Sequence, residues 1–157
     1  MALVYIALGS NIGDRGKNLI MAKEILFSKN SITLMKESSI DATVPVDYIN
    51  QPEFLNQIVL AETNISPKNL LEELKKIEAS MGRTGTAPKG PRIIDLDILL
   101  YDGTILNTTE LIIPHPEIKR RGFILKLLLE IAPDLADPHD GKKYWEVFEE
   151  CRGQSKI

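Results

Sequence analysis

Short apolar runs alternate along the chain with longer amphipathic stretches, and turn residues separate them. "LVYIAL", residues 3–8, is a continuous apolar run that stops at Gly9, the pattern of a buried strand. "KNLIMAKEILFSK" places Leu19, Ile20, Ala22, Ile25, Leu26 and Phe27 at helical spacing. "SITLMKES" reads as a second strand, and "DATVPVDYINQPE", with two prolines, as a long loop. "FLNQIVLAET" is strand-like. Ser66 followed by Pro67 predicts a helix start, an N-cap and then proline at the first helical position. That helix runs through "NLLEELKKIEASM" and stops at Gly82. "GRTGTAPKGP" is a second long loop. A strand containing "DLDILL" follows, then a turn at Asp102-Gly103, a short strand near 104–106, and "IIPHPEIKRRGF". Two helices close the chain, one over about 123–130 and one in "KKYWEVFEEC". The order β-α-β-β-α-β with C-terminal additions predicts an α+β sandwich of ferredoxin-like type.

Composition narrows the class. The 157 residues suit one globular domain, 1–157, and 43% hydrophobic with 26% charged residues argues against global disorder. A net charge of -3 argues against a protein built to coat nucleic acid or an anionic membrane. The one cysteine, Cys151, allows no internal disulfide and no cysteine-based zinc site. The stretch "MALVYIALGSN" is only briefly apolar and has no basic leader, and no run approaches the ~18 apolar residues of a membrane span. A soluble cytoplasmic protein is expected.

"GPRIIDLDILLYDG" raises the chemical question, because its strand carries Asp95 and Asp97 one residue apart. Alternation puts Ile94, Leu96, Ile98 and Leu100 on one face and Ile93, Asp95, Asp97, Leu99 and Tyr101 on the other. Adjacent carboxylates repel, and partial burial makes the pair costly unless something compensates it. A divalent cation would do so; carboxylate oxygens suit Mg²⁺, which commonly completes its shell with phosphate oxygens. A solvated pair on an edge strand is the other reading, and the pattern alone leaves both open.

The neighbours bear on that choice. Arg92 precedes the strand, Arg83 and Lys89 lie in the loop before it, and Lys119, Arg120 and Arg121 follow His115, which sits between two prolines. Carboxylates beside a basic cluster are what Mg²⁺-dependent phosphoryl transfer requires. The commoner phosphate signal is missing. In "GSNIGDRGKN" Gly16-Lys17 is followed by Asn18, and Asn11 stands where a P-loop needs glycine. That segment reads as a tight strand-to-helix turn. In "PEFLNQIVL" Phe54 and Asn56 share a strand face, where a ring and an amide suit a flat heterocycle, or else form a core Phe and a satisfied Asn. Phe123 could supply a second ring.

Taken in order, "ALGSNIGD", "QPEFLN", "IEASMGR", "GPRIIDLDILLYDG", "IPHPEIKRRGFIL" and "EIAPDL" resemble the 6-hydroxymethyl-7,8-dihydropterin pyrophosphokinase family of folate biosynthesis over nearly the whole chain. The resemblance implies a monomer with a three-layer αβα elaboration of the ferredoxin-like core. It implies transfer of pyrophosphate from ATP to the pterin hydroxymethyl group, releasing AMP. Asp95 and Asp97 match the ligands of two Mg²⁺ ions. Arg92, His115 and Arg121 match residues that contact the ATP phosphates or assemble the site, and Arg83 and Glu78 match the "E…GR" before the loop. Glu78, Lys89, Ile98 and Lys119 complete the ATP-binding set that the resemblance implies. Thr43, Val46 and Asn56 match the pterin-binding edge, and Phe54 and Phe123 the aromatic pair enclosing the pterin. The chain departs from many members in the loop before "PR", where Gly85 and Lys89 stand near an arginine and an aromatic position, and at Pro116. The glycine-rich, apolar-poor loop 82–91 reads as a lid that orders over bound ligands. An RNA-binding module shares the element order but needs an RNP1 pattern that the chain lacks. A Mg²⁺-dependent nuclease on the same aspartates is the third reading.

Overall fold

The apolar run at the N-terminus becomes the centre of the sheet. In the computed structural model, which describes residues 1–43, 53–82 and 93–153, β1 (Ala2–Ser10) is flanked on both sides. It pairs antiparallel with β4 (Phe54–Thr63) and with β5 (Asp95–Tyr101). β2 (Ile32–Glu37) adds to the outer side of β4, giving the order β2-β4-β1-β5. That is a ferredoxin-like antiparallel sheet, the type predicted from the order of elements along the chain.

Two helices link the strands that are not neighbours. α1 (Arg15–Phe27) starts where Asp14 Oδ1 accepts from the Lys17 amide at 3.1 Å. The turn ahead of it is tied by Asn18, whose Nδ2 donates to Ser10 Oγ at 3.1 Å and to the Ile12 carbonyl at 2.8 Å. α2 (Pro67–Ser80) starts at the predicted Ser66 cap, and Gly82 follows it at φ +92°, a conformation that favours glycine. α3 (Gly122–Ile131) and α4 (Tyr144–Gly153) cover the opposite face. The result is three layers, with one apolar cluster on each side of the sheet. Leu19, Leu26, Leu70 and Leu74 pack against Val4 and Ile6 on one side. Leu125, Leu128 and Tyr144 pack against Tyr5, Ile58 and Leu60 on the other.

Three sequence expectations are corrected. The long loop does not begin at Asp41: β3 (Asp41–Thr43) pairs with the start of β4. The short strand after the Asp102 turn is β6 (Leu106–Asn107), which forms a hairpin with β7 (Ile112–Ile113). The simple alternation of β5 also fails at its far end. Tyr5 faces Leu100 and Ile6 faces Ile98, so Leu99 is an extra residue, a β-bulge. Ile94, Leu96 and Ile98 stay with the α1/α2 side as predicted, but the bulge turns Leu100 to the α3/α4 side with Leu99 and puts Tyr101 against the first cluster. The reading of residues 44–52 as loop and the lid at 82–91 lie outside the described residues beyond Gly82.

Candidate active site

Register places the chemistry. On the α3/α4 side of the sheet, Asn56 of β4, Gly9 of β1 and Asp95 of β5 form one cross-strand row. Ile58, Ala7 and Asp97 form the next. Small residues at Ala7 and Gly9 leave a trough between an amide on one strand and two half-buried carboxylates on the other. The trough is the floor of an open cleft. Its walls include Thr43, Phe54, Phe123, His115, Glu117 and Arg121. Leu99, Ile124 and Leu127 close its inner end.

At the β4 end, Asn56 Nδ2 donates to Thr43 Oγ1 at 2.8 Å. The amide is thereby oriented, and Oδ1 lies over Gly9, where an added Cβ would meet it at 3.3 Å. Phe54 stands on the same strand face, two residues away, and Phe123 opens α3 across the cleft. Arg121 lies over the Phe123 ring at 5.1 Å from its centroid, a cation–π contact that holds ring and guanidinium together.

The segment 115–121 supplies the polar wall. The His115 amide donates to the Leu99 carbonyl at 2.9 Å, at the bulge of β5. His115 Nδ1 accepts from the Glu117 amide at 3.1 Å, so the neutral ring carries its proton on Nε2. Burial holds this imidazole below its ordinary range; Arg121 adds to the depression, while Glu117 and Asp95 oppose it. Glu117 Oε2 lies 4.0 Å from Arg121 Nε, and Oε1 lies 3.6 Å from Arg120. Glu117 was not anticipated from sequence; its spacing of four residues from Arg121 on a turn is the signal that could have found it.

Not every expected residue reaches the cleft. The Lys119 ammonium pairs instead with the buried Asp137 carboxylate and lies 3.8 Å from Asp140. Ile98 points its side chain into the cluster on the opposite side of the sheet. Glu78 is buried, and its Oε2 accepts from the Leu96 amide at 2.8 Å, which ties α2 to β5. Val46, Arg83, Lys89 and Arg92 lie outside the described residues.

The carboxylate pair fits a hard divalent cation on its donor set. Asp95 and Asp97 are half-buried on one face, and among the described residues no third His, Cys, Asp or Glu converges with such a pair to close a protein cage. An ion held here would need further ligands beyond this pair, and phosphate oxygens are habitual ones for Mg²⁺.

A ferredoxin-like sheet carrying paired carboxylates, a neutral histidine, an arginine and two aromatic rings in one cleft defines a class: an α+β fold with a cleft lined by charged and aromatic groups. Comparison with known proteins makes the class specific. The chain belongs to the 7,8-dihydro-6-hydroxymethylpterin-pyrophosphokinase (HPPK) family, which it matches over residues 5–133. It is 46% identical over 130 residues to the 2-amino-4-hydroxy-6-hydroxymethyldihydropteridine pyrophosphokinase of Bacillus subtilis, covering 83% of this chain and 78% of that protein. It is 42% identical over 146 residues to the folic acid synthesis protein fol1 of Pneumocystis carinii, covering 93% of this chain. The chain spans only 20% of that longer protein. A crystal structure of Plasmodium falciparum HPPK-DHPS superposes with a TM-score of 0.78 at 16% identity, over 99% of this chain and 47% of that one, a likeness of fold.

Proposed function

We propose that the chain transfers pyrophosphate from ATP to the hydroxymethyl group of 6-hydroxymethyl-7,8-dihydropterin, giving AMP and the pterin diphosphate in folate synthesis. The observation that supports this reading is the cross-strand row Asn56–Gly9–Asp95, with an amide and a carboxylate at the two ends of one trough. Family membership supports this choice of substrates.

In this reading the hydroxymethyl oxygen attacks the β-phosphorus, the bond from that phosphorus to the oxygen bridging the α-phosphorus breaks, AMP leaves and the hydroxyl proton is released. Asp95 and Asp97 would hold two Mg²⁺ ions. When bound there, Mg²⁺ would supply charge neutralisation on the phosphates and Lewis acidity towards the hydroxyl. Arg121 offers a guanidinium to equatorial phosphate oxygens, and His115 offers Nε2–H without adding charge. Asn56 and Thr43 orient the pterin edge, and Phe54 and Phe123 enclose its faces and exclude water. Arg83, Lys89 and Arg92, on the loop and at its end, complete the phosphate contacts, with main chain near Val46 on the pterin side. Lys119, Glu78 and Ile98 belong to the same ATP-binding set by family likeness. The geometry makes the first two structural anchors as well.

Residues 1–157 would work as one domain and as a cytoplasmic monomer, on small molecules rather than on nucleic acid or membrane. Among the described residues no helix is long and apolar enough to cross a membrane. Pterin-dependent consumption of ATP tests the reading: with Mg²⁺ present, ATP should be consumed only when the hydroxymethylpterin is added. Cleavage of nucleic acid by the same preparation, with no pterin-dependent ATP consumption, would favour a nuclease instead.

A further inference from the structure

Gly9 occupies an unusual place for a glycine. It lies inside the central strand, paired on one side with Asn56 and on the other with Asp95. Unlike Gly13, Gly82 and Gly141, it does not have positive φ. Its backbone therefore does not call for glycine, and a strand interior ordinarily gains from a side chain there. The reason must lie in the space above it.

That space is the middle of the cleft. A Cβ built on Gly9 would stand 3.3 Å from Asn56 Oδ1 and 3.5 Å from Phe54 Cδ1. The nearest atoms are thus a side-chain oxygen and a ring edge on the ligand-facing side of the sheet, with main chain of β4 further off at 3.9 Å. Asn56 Nδ2 is already committed to Thr43, so Oδ1 is the atom the cleft presents as acceptor. A methyl group at residue 9 would sit against that acceptor and shoulder the Phe54 ring. Neighbouring strands lie ~4.8 Å apart, so the row from Asn56 to Asp95 spans about 10 Å with only bare backbone between its ends. Such a span suits a fused bicyclic ring with a one-carbon arm, its N–H edge at Asn56 and its hydroxyl near Asp95.

We propose that Gly9 is a specificity-determining residue: its missing side chain clears the floor of the cleft for the edge of the bicyclic heterocycle, and a single methyl there selectively excludes that ligand. The proposal rests on the functional reading above and adds a residue to it. Ala7, one row further in, already carries the methyl group that residue 9 lacks and is paired with Ile58. The bare position is the one next to the amide.

The test is Gly9→Ala, compared with wild type by titration calorimetry. Two probes are used: Mg²⁺ with a non-hydrolysable ATP analogue, and then 6-hydroxymethyl-7,8-dihydropterin added to that complex. The expected result is pterin affinity at least fivefold weaker, nucleotide affinity within twofold, and a melting temperature equal to or above wild type. A purely structural role predicts the reverse, a lowered melting temperature with both affinities moved together. Pterin loss smaller than fivefold, equal loss of both ligands, or failure of the variant to fold each overturns the proposal, the last because the space would then serve packing. If wild type itself does not bind the pterin, the functional reading fails; if wild type binds it and Gly9→Ala binds it equally, only the role of Gly9 fails.

Discussion

The two sides of the sheet are built from the same strands and end differently. Towards α1 and α2, β1 presents Val4, Ile6 and Leu8, and β5 with the residue before it presents Ile94, Leu96 and Ile98, all but fully buried. That side is shut along its length. Towards α3 and α4 the same strands begin alike, with Tyr5, Leu60, Leu99 and Leu100 under Leu125 and Leu128. Then large apolar residues run out. Ala7 and Gly9 follow on the central strand, Asp97 and Asp95 on one flank, and Asn56 on the other. A site appears where apolar packing stops, with the two carboxylates and the amide gathered at one end of this side.

If that contrast is correct, substitutions on the two sides should have opposite signatures. Asp97→Ala should lower turnover more than a hundredfold, about 2.7 kcal/mol of barrier, while the fold survives and the melting temperature moves far less than for a core truncation. Steady-state rates and a thermal melt on one sample check both halves; activity within tenfold of wild type would break the assignment. Leu74→Ala, on the shut side, should cost roughly 2–5 kcal/mol of stability by urea denaturation and leave the activity of the folded fraction unchanged.

Smaller effects sharpen the account of the 115–121 wall. Asp137 is buried, accepts from the His139 amide at 2.8 Å and pairs with Lys119. Asp137→Asn should cost roughly 1–3 kcal/mol. Burial works to raise its pKa, but Lys119 and His139 outweigh that and hold the carboxyl below its ordinary range. Its contribution is therefore present above the unfolded carboxyl pKa and is lost as pH falls through the folded one. The stability gap between wild type and Asp137→Asn should close only in acid, in denaturation curves taken at a series of pH values.

His115 gives the smallest signal and the opposite chemistry. Its folded pKa is lowered, so the neutral ring stabilises the fold fully above the unfolded pKa of ~6.5, and that contribution is lost as pH falls through the folded value. Wild type should lose stability relative to His115→Gln between pH 7 and pH 5. A gap that is constant across that range would show that the ring does not titrate with folding.

Much of this was readable in the sequence. Hydrophobic period located the four main strands and both crossover helices, and Ser66, Pro67 and Gly82 bounded α2 as their chemistry requires. The shared face of Asp95 and Asp97 followed from alternation alone. The bulge at Leu99 did not, because a period of two cannot reveal an inserted residue, and it reversed the sides of Leu100 and Tyr101. Lys119 was grouped with Arg121 by adjacency, but the turn at 117–121 sends its ammonium to Asp137, a partner 18 residues on that only folding brings near. Gly9 read as a strand terminator; that it lies within the strand, between Asn56 and Asp95, is a fact of register.

The most direct test of the central claim is phosphorus NMR of a reaction containing the protein, ATP, Mg²⁺ and 6-hydroxymethyl-7,8-dihydropterin. The account predicts that AMP and a pterin diphosphate appear together, in equal amounts, as ATP disappears. Stoichiometric ADP with a pterin monophosphate would make the protein an ordinary kinase, and inorganic phosphate released without a pterin product would make the cleft a hydrolase; either result contradicts it.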